Sequence, residues 1–120
     1  MAKILIDHNV RQTVFNLLVR LGHEAESAAY NGWDALSNGE LVRAAALKGF
    51  DAILTQDKLF EMDGSSGLKE YPNMCIVLID TNMLPQTGGQ DYIDRFFKAL
   101  TEEPLVIVPG KSSKWPSNRY

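Results

Sequence analysis

Lys3-Ile4-Leu5-Ile6-Asp7-His8-Asn9 opens the chain with a short apolar run that carries a charge on each side. Such a run reads as a strand buried on both faces, the habit of parallel sheets, followed at once by a polar loop. Beyond the loop, Val10, Val14, Leu17, Leu18 and Leu21 recur on one face of a helix, and Gly22 supplies its stop. A strand, a tight loop and a returning helix form the first half of a βαβ unit.

The pattern repeats outward. Residues 24–28 alternate and read as a weaker strand. Ser37 stands three positions before Glu40, the spacing of a capping box, and predicts a helix through Leu41, Ala44, Ala45 and Leu47 to Lys48-Gly49. Ala52-Ile53-Leu54-Thr55 is a second buried strand, ending at Gln56-Asp57. Residues 60–73, rich in Gly, Ser and charge, read as a long loop with one short helical turn. Residues 74–79 form the most apolar strand, 91–100 a helix, and 105–108 a strand that closes the sheet. The sum is an α/β chain of three α/β/α layers around a mainly parallel sheet of about five strands.

With 120 residues, 45% of them hydrophobic, the chain has room for one core of ordinary domain size. The boundaries read as a single domain over 1–110 and a basic C-terminal tail over 111–120. Cys75 is the sole cysteine, inside an apolar run, so it reads as core rather than as a disulfide or zinc ligand. No membrane-length apolar stretch or signal-like start is seen, and the expected location is the cytoplasm. A net charge of −3 argues against holding nucleic acid by bulk electrostatics. Any such contact must be local, from Arg11, Arg20, Arg43, Lys48, Lys58 or the tail. Trp33 and Trp115 offer stacking faces, although lone tryptophans mostly pack. There is no Gly-x-Gly-x-x-Gly after the first strand and no Walker A sequence, and no Ser-His-Asp pattern.

What the sequence does repeat is an acid after a strand. Open parallel sheets bind ligands beyond the carboxyl ends of their strands. Asp7 and Asp57 follow the strands there, Asp80 ends the strand Val77-Leu78-Ile79, and Glu40 starts a helix expected at the same edge. Oxygen donors with little nitrogen or sulfur suit Mg²⁺ or Mn²⁺, and crowded carboxylates need such a cation. Each acid also has a local explanation, since Asp after a strand is an ordinary turn or cap residue and Glu40 sits at capping-box spacing. His8 beside Asp7 is able to assist a metal or substrate, or to be an ordinary surface group.

Three blocks carry a resemblance. Ile4-Leu5-Ile6-Asp7-His8-Asn9-Val10 resembles the opening "LLDEN-[LV]" of small bacterial PIN-like proteins related to the VapC-type toxins. Gly32-Trp33 with Leu36-Ser37-Asn38-Gly39-Glu40-Leu41 is similar to their "GW…LSNGELL". Phe50-Asp51-Ala52-Ile53-Leu54-Thr55-Gln56-Asp57-Lys58 is similar to their "FDVLLTxDK". The resemblance implies a PIN-like fold and a divalent-metal ribonuclease, the toxin-like member of a toxin-antitoxin pair. It implies Asp7, Glu40 and Asp57 as the catalytic and metal-binding acids, with Asn9 and Thr55 as supporting polar residues. It further implies single-stranded or structured RNA as substrate, a small antitoxin-like protein as partner, and a homodimer. The family's further acid after Thr-x-Asp has no clear counterpart; Leu59 and Phe60 intervene before Glu61 and Asp63, and Asp80 is the candidate substitute. Lys58 and Arg11 are the cations placed to meet phosphate.

Two rival readings use the same residues. One is a catalytically weak or inactive partner-binding module on the same scaffold. The other is a receiver-like phosphoacceptor, casting Asp7, Asp57 and Lys111 as its acids and its lysine after the last strand.

Overall fold

A computed structural model describes residues 2–8, 10, 12–79 and 90–116, without the side chains of 59, 61, 62 and 90–93. In chain order the elements are β1 (Lys3–Ile6), α1 (Gln12–Arg20), β2 (Glu24–Ser27), α2 (Asn38–Leu47), β3 (Ala52–Thr55), α3 (Lys58–Asp63), α4 (Ser65–Glu70), β4 (Cys75–Ile79), α5 (Gln90–Glu102) and β5 (Ser112–Trp115). The five strands form one all-parallel sheet in the order β2-β1-β3-β4-β5.

Strand alternation sorts the core into two layers. Ile4, Ile6, Ala52, Leu54, Cys75, Val77 and Ile79 point to one face, where Val14, Leu17 and Leu18 of α1 meet Phe96 and Leu100 of α5. Leu5, Ile53 and Ile76 point to the other, against Leu41, Val42 and Ala45 of α2, Phe60 of α3 and Leu68 of α4. Both faces are covered, which is why β1, β3 and β4 read as unbroken apolar runs. Cys75 lies fully buried in this packing, and burial pushes its thiol up.

Helix ends follow the sequence closely. Gly22 (φ 96°) and Gly49 (φ 90°) take the left-handed conformation just past α1 and α2. Each closes a Schellman motif: His23 N–H donates to Leu18 O and Gly22 N–H to Val19 O, and Phe50 N–H donates to Ala45 O and Gly49 N–H to Ala46 O. Leu21, assigned to the buried face of α1, falls beyond its end and is 37% exposed.

Two expectations are corrected. Residues 60–73 are mostly helical, carrying the end of α3 and all of α4. Their glycines reflect close packing rather than a loop, since a Cβ on Gly67 would lie 2.8 Å from Val42 Cγ1. Residues 105–108 form no strand. Leu105 and Ile107 pack against the α1–α5 layer, and the closing strand is β5, inside the segment read as a tail. Trp115 secures it there, 3% exposed, 5.2 Å from the ring of Phe96 and donating its indole N–H to Glu103 O at 2.6 Å. Trp33, too, is engaged in packing, edge-on to Phe50 at 6.2 Å.

Candidate functional site

The order β2-β1-β3 places a topological switch between β1 and β3. The chain leaves β1 through α1 on one face and returns to β3 from α2 on the other, so the helices diverge above the carboxyl ends of these two strands. Doubly wound sheets open their ligand crevice at such a point. Asp7 follows β1 there, and Thr55 ends β3 beside it.

Asp7 is 3% exposed and Thr55 fully buried, the only buried polar or charged residues among those described. Burial of this kind requires partners. The ladder runs one step past the strand, with Asp7 N–H donating to Leu54 O at 2.9 Å. The Thr55 hydroxyl donates to Asp7 Oδ2 at 2.8 Å. The Asp57 N–H in turn donates to Thr55 Oγ1 at 3.1 Å, a local hydroxyl turn two residues long. Asp7 Oδ1 accepts from the His8 backbone N–H at 2.9 Å and lies 3.0 Å from His8 Nδ1. A carboxylate offers about four acceptor positions, and Thr55 and the His8 backbone take one on each oxygen of Asp7.

Asp57 is half-buried and starts α3, its carbonyl accepting from Phe60 N–H at 3.0 Å. Lys58 is exposed in the first turn of α3. Glu40 is exposed on the first turn of α2 and closes the expected capping box. Its Oε1 accepts from Ser37 N–H at 2.9 Å, while its own N–H donates to Ser37 Oγ at 3.3 Å. The Ser37 backbone bond, then the Ser37 side chain, holds the Glu40 carboxyl below the usual range.

The structure thus links Asp7, Thr55 and Asp57 but does not draw Glu40 in with them. Among the described residues, no group of three or more His, Cys, Asp or Glu is close enough to hold a metal ion. The reason lies in α3. Asn38, beside Glu40 on α2, donates to Asp63 Oδ2 at 3.1 Å, so the turn bearing Glu40 is tied to the far end of α3 from Asp57. Six residues of helix rise about 9 Å. Asn9, Arg11 and Asp80 lie outside the described residues, as does the side chain of Glu61. Lys111 precedes β5 and so stands at the sheet edge opposite Asp7 and Asp57, which removes it from a receiver-like constellation.

His8, next to Asp7 in sequence, has its side chain 63% exposed with Nδ1 3.0 Å from Asp7 Oδ1. The Asn38–Asp63 bond spans two elements and left no local signal. An open cleft of about 340 Å³ lies between α1 and β2, lined by Gln12, Phe15, Ala25, Glu26, Ser27 and Tyr30, and includes neither Asp7 nor Asp57. We place the candidate site at the switch point nonetheless, because chemistry-bearing groups converge there.

Asp7 and Asp57 offer carboxylate oxygen without forming a three-ligand group, so only an ion that keeps most of its water shell, as Mg²⁺ commonly does, needs so few protein ligands. No helix among the described residues is long and apolar enough to cross a membrane. Compared with protein-family models, curated proteins and solved structures, the chain matches none, and the resemblance to PIN-like proteins rests on its own residues.

Proposed function

We propose that the protein is a divalent-metal-dependent ribonuclease of the PIN-like kind, acting at the carboxyl edge of β1 and β3. The observation that carries the reading is the buried Asp7 carboxylate, fixed by Thr55 and, through Thr55, joined to the backbone of Asp57 at the switch point. Its support is positional: ligands of open parallel sheets bind beyond the carboxyl ends of the strands, where this carboxylate is held.

When bound, a Mg²⁺ or Mn²⁺ ion supplies Lewis-acid charge to a phosphodiester and makes water a better nucleophile. The chain's own residues set the geometry. Asp7 and Asp57 would hold the ion through its water shell, and the Thr55 hydroxyl bond limits rotation of Asp7. Lys58, exposed at the start of α3, meets the substrate phosphate, and Arg11 is proposed for the same role. Glu40 is assigned to the site by resemblance, as are Asn9 and Asp80.

A second reading has its own support. Glu40 is already engaged in a helix cap, and no three-acid group forms among the described residues. Both facts favour a partner-binding module on the same scaffold, with an antitoxin-like protein as its partner.

One pair of measurements separates the readings: Mn²⁺ titration calorimetry and cleavage of single-stranded RNA, each on wild type and Asp7→Asn. Micromolar binding lost in the variant, with metal-dependent cleavage, supports the nuclease. No binding to either protein leaves the acids as turn and cap residues and favours the module.

A further inference from the structure

Three features meet at the outer border of β2. The ladder to β1 uses alternate residues of this strand: Glu24 N–H donates to Ala2 O and Ala28 N–H to Ile6 O. In such a parallel ladder the residues between face the other way. Ala25 and Ser27 therefore turn their N–H groups to the border, where β2 has no second neighbour among the described residues.

On the α1 side of that border lies the cleft of about 340 Å³, in which Ala25 and Ser27 meet Phe15, Gln12 and Tyr30. Tyr30 is 80% exposed, so its ring stands at the cleft without serving the core. The alternate residues Glu24 and Glu26 belong to the opposite face. Glu26 is already met by Asn31 and by Lys48 at 3.6 Å, with Lys3 also acting on it. Glu24 is exposed and has no ion pair among the described residues.

Outward N–H groups, a side pocket and a charge on the alternate face are what a sheet edge needs to add an extended peptide, the backbone giving affinity and the side chains selectivity. A strand laid along β2 sends successive side chains to the two faces in turn. One enters the cleft beside Phe15 and Tyr30, and its neighbours lie on the face of Glu24, where a cation is favoured and an anion opposed. Nucleic acid would bring phosphate to that acid. A second copy suits the border no better: its β2 would repeat the acids, and in its β5 the residue after Lys114 is Trp115, buried in its own core.

We propose that the β2 border docks an extended segment of a partner protein in which apolar and basic residues alternate. The proposal does not rest on the divalent-ion reading of the carboxyl edge; it gives the partner-binding reading a surface and a chemistry.

The test uses the full chain and the end-blocked peptide Lys-Val-Lys-Phe-Lys-Val-Lys. Calorimetry is expected to find saturable binding, absent for the counterpart Glu-Val-Glu-Phe-Glu-Val-Glu. Amide exchange followed by NMR is expected to slow at Ala25 and Ser27 at least about tenfold in the complex. Glu24→Lys and Tyr30→Ala, both at exposed side chains, are each expected to weaken binding about fivefold or more. Ala25→Pro removes an N–H that β1 does not use and is expected to weaken it about tenfold. A peptide N-methylated at alternate residues makes the same test from the partner's side without altering the fold. Absence of saturable binding, binding that Glu24→Lys and Tyr30→Ala leave unchanged, or binding without slowed exchange at Ala25 and Ser27 overturns the proposal. Sedimentation showing that the chain alone associates through this border overturns it in favour of a second copy.

Discussion

Thr55 Oγ1 and Asp7 Oδ2, at the ends of neighbouring strands and 48 positions apart in the chain, lie 2.8 Å apart in a hydrogen bond closed off from solvent. Thr55→Val keeps the shape and removes the donor, leaving a buried carboxylate short of one partner. The expected cost is about 1–3 kcal/mol, read as a lower urea midpoint with an unchanged denaturant slope. Thr55→Ser, which restores the hydroxyl, is expected to recover most of it.

Asp57 contributes its backbone N–H to Thr55, and that bond does not depend on the side chain. Asp57→Asn is therefore expected to fold with a stability change within about 1 kcal/mol, while RNA cleavage in Mn²⁺ falls at least about 100-fold. A variant that keeps full activity removes Asp57 from the chemistry.

Glu40 has two assignments that mutation can separate. Glutamine also completes a capping box, so Glu40→Gln is expected to leave the melting temperature nearly unchanged; if cleavage is lost at the same time, the carboxylate has a chemical role. Ser37→Ala breaks the cap instead and is expected to cost about 1 kcal/mol with cleavage retained.

Acid should weaken the fold through Glu26 as well as Glu40. Glu26 is held below the usual carboxylate range first by its hydrogen bond from Asn31, then by Lys48 and Lys3. Both folded values are depressed. The stabilisation is therefore present above the ordinary glutamate value of about 4.3 and is lost as pH falls through the lower folded values. Urea midpoints measured downward from pH 6 are expected to drop over that interval, and less so in Asn31→Ala.

Trp115 makes the last strand part of the fold. Trp115→Ala is expected to cost about 3–5 kcal/mol, and a chain ended after Gly110 is expected to lose cooperative unfolding by circular dichroism. Native-like unfolding in the shortened chain would show that the sheet is complete without β5.

How far the sequence could be read depended on where its signals came from. β1, β3 and β4 were legible because both sheet faces are covered, which forces continuous apolar runs. The α2 start and stop were legible from local chemistry, Ser37 with Glu40 and then Gly49. Residues 105–108 misled because they do alternate, with Leu105 and Ile107 inward and Val106 and Val108 65% and 40% exposed, yet among the described residues no strand pairs with them. Ser112–Trp115 has little strand character of its own; Trp115 seats it from across the core. The Asp7–Thr55 bond follows from the register Ile6↔Leu54, which no local pattern specifies. The tie between α2 and the end of α3 is likewise tertiary, and it separates Glu40 from the other acids.

Finally, among the described residues β2 and β5 each pair with one strand only, and each border carries its own deterrent. A four-residue border presents few unsatisfied backbone groups to a neighbouring molecule. A two-fold pairing through β2 would set Glu24 and Glu26 against the same acids of a second copy, and one through β5 would do so with Lys114. Like charges facing across a ladder repel. Short length and like charge thus both disfavour continuation of the sheet from one copy into another.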